Sequence, residues 1–179
     1  KPAEYLLGFG RGQQEHPPEL LGANVLNGWL KDFMIKMVEV EGSVFPEDLY
    51  YHRDHMWAKV EDGKVRVGYN DWAQKVAGNI VFVRVRRVGA KVVQGKTLGT
   101  IESGKWVGPL KAPVSGTIVE VNQEVLDKPS LINEDPYGRG WIAVIEPKDL
   151  ENELKNLIPG TDAEAVKKWI MEEKKRHGL

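Results

Sequence analysis

A short lysine-bearing connection between two β-rich runs constrains the fold of this 179-residue chain more than any other stretch. Residues 91–101 and residues 114–121 are both rich in β-forming residues, and between them Gly104 and Gly108 flank Lys105. Two strands joined through a glycine-bearing turn form a hairpin, and such tips project into solvent, where functional groups are commonly placed. The pattern therefore predicts a sterically open lysine amine at a hairpin tip.

A second hairpin and a capped helix are predicted on the N-terminal side of this lysine. Residues 56–60 and 64–67 are β-rich and flank Asp62-Gly63. An Asp-Gly pair between two such runs is a strong signal for a tight hairpin turn. Asn70 is placed to cap a short helix, and Gly78 is placed to end it.

Further strands and helices are predicted towards the C-terminus. Residues 80–88 alternate as a strand, with three valines on one face: Val81, Val83 and Val85. Residues 141–145 predict a closing strand and residues 150–157 a helix. The pattern Thr161-Asp162-Ala163-Glu164 is typical of a capping box, with Thr161 as the cap, and predicts a last helix that runs to about Arg176.

Three segments follow from these patterns. Residues 1–44 are an N-terminal extension, with an irregular Gly-, Gln- and Pro-rich arm and an apolar stripe that predicts a helix over residues 20–37. Residues 45–148 form a domain that holds most of the β pattern, and residues 149–179 supply helices packed on it. The predicted fold is mainly β, with peripheral α-helices at both termini.

Composition excludes several classes of function. The net charge is −1, which indicates neither nucleic acid nor an anionic membrane as partner, and no apolar run is long enough to span a bilayer. The absence of cysteine fits a reducing compartment, and a cytoplasmic location is expected. The chain has no cysteine, so redox chemistry must come from an attached group. No metal site is predicted, because the four histidines lack metal-ligand spacing: His16, His52, His55 and His177. No catalytic nucleophile–base pair is predicted either.

Five motifs follow one another along more than half of the chain. They are His55-Met56-Trp57, Gly68-x-x-Asp71-x-Ala73-Gln74, Gly78-Asn79-Ile80-Val81-Phe82-Val83, Glu102-Ser103-x-Lys105 with Ala112-Pro113-Val114-Ser115-Gly116, and Asn133-x-Asp135-Pro136-Tyr137-Gly138-x-Gly140-Trp141. In this order and spacing they resemble the glycine cleavage H-protein family over roughly residues 45–157. The attachment motif, centred on Lys105, is the part of the resemblance that bears on chemistry.

The resemblance implies a lipoyl-domain-like fold, a barrel-sandwich hybrid or hammerhead, with a covalent lipoate on Lys105. The lipoyl lysine would act as a swinging arm, with neighbouring residues forming the attachment motif: Glu102, Ser103, Gly104 and Trp106. Glu102 is either read by the enzyme that attaches lipoate or is a solvated acid at a strand end. His55 either lines a cleft that shelters the loaded arm or is a structural histidine. Trp106 either packs back on the hairpin or contacts a partner.

The implied protein is a shuttle rather than an enzyme, and its partners include a lipoate ligase or lipoyl-transfer machinery. Departures from the family pattern cluster at the attachment point, where Lys105 is preceded by Gly104 and followed by Trp106-Val107-Gly108-Pro109; Asn79 and Lys111 also depart. These departures favour, by a small margin, the H-protein-like lipoate-binding proteins that serve a heterodisulfide-reductase-like complex in sulfur oxidation. The alternative is a glycine cleavage carrier that works with glycine decarboxylase, aminomethyltransferase and dihydrolipoamide dehydrogenase.

Two other classes share the hairpin scaffold. A biotin carrier normally has methionine on both sides of the modified lysine, whereas Lys105 lies between Gly104 and Trp106. An unmodified interaction module would keep the scaffold without any adduct. Both classes are less well matched than a lipoyl carrier, because the flanking H-protein motifs have no place in biotin carriers.

Overall fold

Twelve strands and five helices follow one another along residues 36–179, the part of the chain that the computed structural model describes. In chain order they are β1 (Met37–Val40), β2 (Ser43–Pro46), β3 (Tyr50–Tyr51), β4 (Met56–Glu61), β5 (Lys64–Tyr69), α1 (Asp71–Ala77), β6 (Ile80–Val85), β7 (Lys91–Val92), β8 (Thr97–Ser103), β9 (Val107–Lys111), β10 (Gly116–Val121), α2 (Gln123–Asp127), α3 (Leu131–Glu134), β11 (Ala143–Pro147), α4 (Leu150–Leu154), β12 (Ile158–Pro159) and α5 (Ala163–Arg176).

The strands form three antiparallel sheets, so the predicted mainly β fold is confirmed. The largest sheet has seven strands in the order β12-β3-β4-β5-β11-β10-β7, and a second has the order β6-β8-β9. The core holds side chains from both of these sheets, among them Trp57, Ile101, Leu110, Ile118 and Ile145, all of which are buried. No helix in this part of the chain is both long enough and apolar enough to cross a membrane.

The hairpin turn and the capped helix predicted before β6 are both confirmed. Asp62 and Gly63 have φ values of 50° and 76°, and Glu61 pairs with Lys64, which is a two-residue turn with both central residues in the left-handed region. The Asn70 side chain accepts a 2.8 Å hydrogen bond from the Ala73 amide at the start of α1. This cap fixes where α1 begins, and therefore where it meets the strands around it.

The β1–β2 hairpin crosses the residues where the N-terminal extension was expected to meet the domain. The helix predicted over residues 20–37 lies outside the described residues except for its last two, and of these Met37 begins β1. Val38 and Val40 are buried and alternate with exposed Met37 and Glu39. This period of two is that of a strand with one face on a core, and no helix could bury both valines while exposing their neighbours in this way.

The valine face predicted for residues 80–88 is wrong at Val81. Ile80 pairs with Ser103 and Phe82 with Glu102, so Val81 has no partner and forms a β-bulge. Because the bulge resets the alternation, Val81 is 52% exposed while Val83 remains buried. The strand also ends at Val85 rather than continuing to residue 88.

The strand that pairs with the run before Lys105 is not the one that the sequence predicts. Residues 114–121 are expected to return the hairpin, but β9 fills that role, and β10 belongs to the other sheet, between β11 and β7. The sequence Gly108-Pro109 reads as turn material, yet both residues lie in β9. A proline is compatible with this strand because β9 is at the edge of its sheet.

The C-terminal elements differ from prediction at their boundaries. The closing strand β11 covers residues 143–147 rather than 141–145, and α4 ends at Leu154 rather than at Leu157. The chain turns at this point because Leu157 and Ile158 are buried and β12 pairs with β3. The cap of α5 is Asp162, whose carboxylate accepts a 3.1 Å hydrogen bond from the Ala165 amide, and not Thr161.

The close approach of β6 to β8 gives a stability prediction at Gly99. A Cβ atom there would collide with the Arg84 carbonyl oxygen and would lie 3.2 Å from the Val85 Cα, both backbone atoms of β6. Gly99→Ala is therefore expected to lower the free energy of unfolding by about 1–3 kcal/mol, the usual cost of overpacking. Urea unfolding followed by tryptophan fluorescence measures the change.

The matched control is Gly104→Ala in the same hairpin, where a Cβ atom would meet nothing within 4 Å. This variant should keep its free energy of unfolding within about 0.5 kcal/mol. Equal stability of the two variants would contradict the packing of β6 against β8.

Candidate functional site

A two-residue tip on the β8–β9 hairpin carries Lys105. The Ser103 amide donates a 2.8 Å hydrogen bond to the Trp106 carbonyl, which leaves only Gly104 and Lys105 between the paired residues. The Ser103 hydroxyl accepts a second, longer hydrogen bond of 3.4 Å from the Lys105 amide. Ser103 is buried, whereas Gly104 and Lys105 are exposed. The short turn therefore fixes the backbone of Lys105 while leaving its side chain accessible.

A cavity of about 420 Å³ lies beside this tip. We call it the hairpin cavity, and its walls include Trp72 and Val76 of α1, Lys105 and Trp106 of the tip, and Arg176 and His177 at the end of α5. The Lys105 side chain lies over Gly78, with its Cε 3.2 Å from the position that a Cβ atom on Gly78 would occupy. Gly78 therefore leaves room for the lysine between the tip and the end of α1.

The charge around the hairpin cavity is mixed. Its lining has one carboxylate, that of Asp54, and three cationic side chains: Lys105, Lys111 and Arg176. Arg176 is neutralised by Glu173, with 2.9 Å between its Nε and a carboxylate oxygen. Burial raises the pKa of Tyr69, another wall residue, so its phenol stays neutral. If Lys105 became an amide, Lys111 and Asp54 would balance each other.

His55 does reach the hairpin cavity, but it is held on both faces and at both ring nitrogens. Its ring lies between Trp72 and Trp169, at centroid distances of 4.9 Å and 5.2 Å, and the residue is only 8% exposed. The ring nitrogens lie 3.1 Å from the Asn70 amide nitrogen and 2.7 Å from a Glu173 carboxylate oxygen. His55 therefore has no nitrogen left for a ligand in the cavity.

The proton positions in this group follow from the cap of α1. The Asn70 side-chain oxygen accepts the Ala73 amide, so the group that faces His55 must be the NH₂ donor. His55 Nδ1 is then the acceptor, and Nε2 carries the proton that it donates to Glu173. The hydrogen bond from His55 lowers the pKa of Glu173, with smaller contributions from the positive charges of neighbouring side chains, while burial opposes the shift.

The remaining predicted site residues lie on or next to the tip. Glu102 is half-buried in β8, where it pairs with Val107 of β9. Trp106 is 39% exposed and its ring lies against the backbone of Gly108, so it packs on the hairpin and also forms part of the cavity wall. The attachment motif is therefore divided between two strands and the turn that joins them.

The sequence analysis did not predict that Glu173 and Trp169 of α5 hold His55. Their spacing contained a signal: Val166, Trp169, Ile170 and Glu173 follow the i, i+3, i+4, i+7 pattern of a buried helix face, and all four are buried. A carboxylate on such a face needs a partner, and His55 supplies it. No cluster of three or more potential metal ligands occurs in the described part of the chain.

Comparison with known proteins gives the same family at every level. The family model described as "Glycine cleavage H-protein" matches residues 49–170. The chain is 46% identical over 141 residues to "Glycine cleavage system H protein 2" of Aquifex aeolicus, which covers 77% of this chain and 88% of that protein. It is 49% identical over 135 residues to "Probable glycine cleavage system H protein" of Pyrococcus horikoshii, covering 75% and 98%. The crystal structure of a glycine cleavage system H protein from Mycobacterium marinum matches with a TM-score of 0.61 and 35% identity, over 75% of this chain and 100% of that one.

The His55–Glu173 pair gives a pH-dependent stability prediction. A carboxylate whose folded-state pKa is lowered stabilises the fold above its unfolded pKa, about 4.3, and this contribution disappears as pH falls through the folded-state value. Glu173→Gln keeps the side-chain shape and an acceptor but loses the charge. It should cost about 1–2 kcal/mol of unfolding free energy at pH 7. The difference from wild type should shrink as the pH falls below about 4.

The control is Glu172→Gln, the exposed neighbour on the same helix. Urea unfolding of the three proteins from pH 7 to pH 3 measures both effects, and the control should match wild type at each pH. A Glu173→Gln penalty that stays constant down to pH 3 would contradict the charged hydrogen bond.

Proposed function

The chain belongs to the glycine cleavage H-protein family, and we propose that Lys105 is the lysine through which it carries its lipoyl group. Proteins of this family are lipoyl carriers rather than catalysts, and they carry a covalently attached lipoate on a lysine. The observation that carries the assignment of Lys105 is its place at the two-residue tip of the β8–β9 hairpin, exposed and beside the hairpin cavity.

The surroundings of Lys105 fit an attached arm. The side chain leaves the tip over Gly78, where the absence of a Cβ gives it room. The cavity beside it has apolar walls contributed by Trp72, Val76 and Trp106, which suit a hydrocarbon chain. When bound, the lipoyl group supplies the disulfide that takes part in group transfer and two-electron redox chemistry, which the chain itself lacks because it has no cysteine.

The attachment step needs only the Lys105 amine and an activated acid. Lipoate would be joined to Lys105 as an amide: the Lys105 nitrogen would bond to the carboxyl carbon of an adenylate supplied by the ligase, AMP would leave, and the amine proton would pass to solvent. The positive charge of Lys105 is lost in this step. The Ser103–Trp106 hydrogen bond closes the turn around Gly104 and Lys105.

The pathway that we propose is glycine cleavage, with this chain as the carrier of the aminomethyl group between glycine decarboxylase and aminomethyltransferase. The names of the relatives from Aquifex aeolicus and Pyrococcus horikoshii support this alternative. They give no support to the sulfur-oxidation hypothesis, which rested on the departures at Gly104 and residues 106–109, and at Asn79 and Lys111. Dihydrolipoamide dehydrogenase is the partner that restores the disulfide in this family's cycle.

The chain's own residues contribute position and shelter in this cycle. A tethered group meets each partner enzyme at a high effective concentration, set by the length of the arm. The cavity walls from α1 and the end of α5 offer that arm a place out of water. His55 keeps these two helices together through Asn70 and Glu173. The fold thus positions and shelters the lipoyl arm, and the partner enzymes catalyse the reactions.

Lipoylation at a single lysine is the first test. Wild-type apo-protein incubated with lipoate, ATP and a lipoate–protein ligase should gain one lipoyl mass by intact mass spectrometry, since Lys105 alone lies at the hairpin tip. Lys105→Arg should gain none. The matched control is Lys111→Arg, a lysine of the same hairpin that also lines the cavity, which should be modified like wild type. Modification of Lys105→Arg, or addition of biotin instead of lipoate, would overturn the assignment.

The pathway has its own test. Lipoylated wild type, with its adduct verified by mass, is expected to support exchange of label between bicarbonate and the carboxyl group of glycine in the presence of glycine decarboxylase. The reason is that the decarboxylase needs a lipoyl acceptor for the aminomethyl group. Absence of exchange with fully lipoylated protein would contradict the proposed role in glycine cleavage and would favour the sulfur-oxidation alternative.

A further inference from the structure

One row of the three-stranded sheet places two apolar side chains in solvent next to the tip. Phe82 of β6 pairs with Glu102 of β8, and Glu102 pairs with Val107 of β9. Directly paired residues in antiparallel strands point to the same face of a sheet. Phe82 is 50% exposed and Val107 is 61% exposed. We call this row the tip face: Phe82, Glu102 and Val107.

The exposure of the tip face is not a consequence of poor packing nearby. In the next row inward, the side chains of Val83 and Ile101 point to the opposite face and are buried. The sheet therefore has a filled core side and an outer side that carries Phe82 and Val107. These two apolar side chains, on either side of one carboxylate, give the outer side a surface that another protein can cover.

The edge strand of this sheet limits how a partner protein can bind beside the tip face. β9 is an edge strand, and a partner strand could add to it only by pairing with its backbone. Pro109 has no amide hydrogen to donate, so strand addition along β9 is interrupted two residues beyond Val107. A protein that approaches the tip from this side is therefore directed to the side chains of the tip face.

The length of the lysine side chain decides which partner needs this surface. Before modification, the amine extends from the tip by no more than the lysine side chain, and that side chain lies over Gly78. An enzyme that acylates the amine must bring its active site to the tip itself. The enzymes that later act on the lipoyl group meet it at the far end of a much longer arm. They can therefore work without contact at the tip face.

We propose that the tip face is the docking surface for the enzyme that acylates Lys105, with Phe82 and Val107 as its apolar contacts. This proposal rests on the proposed function, because it requires that Lys105 be acylated. The enzyme covers the outer side of the sheet next to Glu102 and draws the lysine away from Gly78 into its own active site. The partner is thus an enzyme with an apolar surface next to the site that binds the acyl-adenylate.

The test compares two matched double variants of the full chain. Phe82→Thr/Val107→Thr removes the apolar groups and places threonine, a β-branched residue that suits a strand, at both positions. Val88→Thr/Val93→Thr makes the same kind of change at exposed residues outside the strands. Each is titrated as substrate of a lipoate–protein ligase with lipoate and ATP. The tip-face variant should lose about tenfold in kcat/KM, mainly through KM, as expected when apolar interface contacts are truncated.

Two further measurements separate the possible results. Lys105→Arg, which keeps the tip face, should compete with wild type for the ligase, and the same protein with both tip-face substitutions should compete about tenfold less well. After prolonged incubation to full lipoylation, the tip-face variant should support glycine–bicarbonate exchange at the wild-type rate.

Equal kcat/KM for the two double variants, with wild type lipoylated at Lys105, would overturn the docking surface and leave the proposed function standing. Loss of exchange without loss of lipoylation would overturn it too, since the surface would then belong to the decarboxylase. A wild-type protein that is not modified at Lys105 would overturn both proposals. Thermal unfolding of both double variants checks that they are equally folded.

Discussion

The hydrogen bond from the Ser103 amide to the Trp106 carbonyl closes the β8–β9 hairpin after two residues, and the exposed features of the tip depend on it. Because β8 also pairs with β6, this one register sets three positions together. Lys105 lies at the turn, Phe82 and Val107 lie on the outer side, and Ile101 lies in the core. A slip by one residue would exchange the two faces of β8, which would expose Ile101 and bury Glu102. The core thereby fixes where the lysine is presented.

A second group ties the C-terminal helix to the same region. Asn70 caps α1 and, with its other side-chain group, sets the tautomer of His55, which in turn donates to Glu173 of α5. Both helices contribute walls to the hairpin cavity. The hairpin cavity therefore lies beside two helices that are joined by a chain of hydrogen bonds from Asn70 through His55 to Glu173. Each donor in this chain has an acceptor. His55 serves the site by position, and its nitrogens are fully used by this group.

The sequence predicts local features well where one residue type has one physical role. Asp62-Gly63 and Asn70 are such cases, since few other conformations suit a left-handed pair or a helix cap. It predicts poorly where a tertiary contact decides. The bulge at Val81 follows from the pairing of β6 with β8, and the early end of α4 follows from the pairing of β12 with β3. At the site, the Lys105 tip follows from local pattern and resemblance, whereas the partnership of His55 with Glu173 joins residues 118 apart in the chain.

We propose that Lys105, alone among the lysines, is the carrier position in this member of the glycine cleavage H-protein family. Peptide mass mapping of the protein purified from its own cells tests it most directly, because the cell's machinery then chooses the lysine. The predicted result is a lipoyl increment on the peptide that contains Lys105, and on no peptide that contains only other lysines such as Lys96 or Lys111. A lipoyl group on a different lysine, a biotinyl group at Lys105, or no adduct in cells that lipoylate their other carriers would rule out Lys105 as the carrier position.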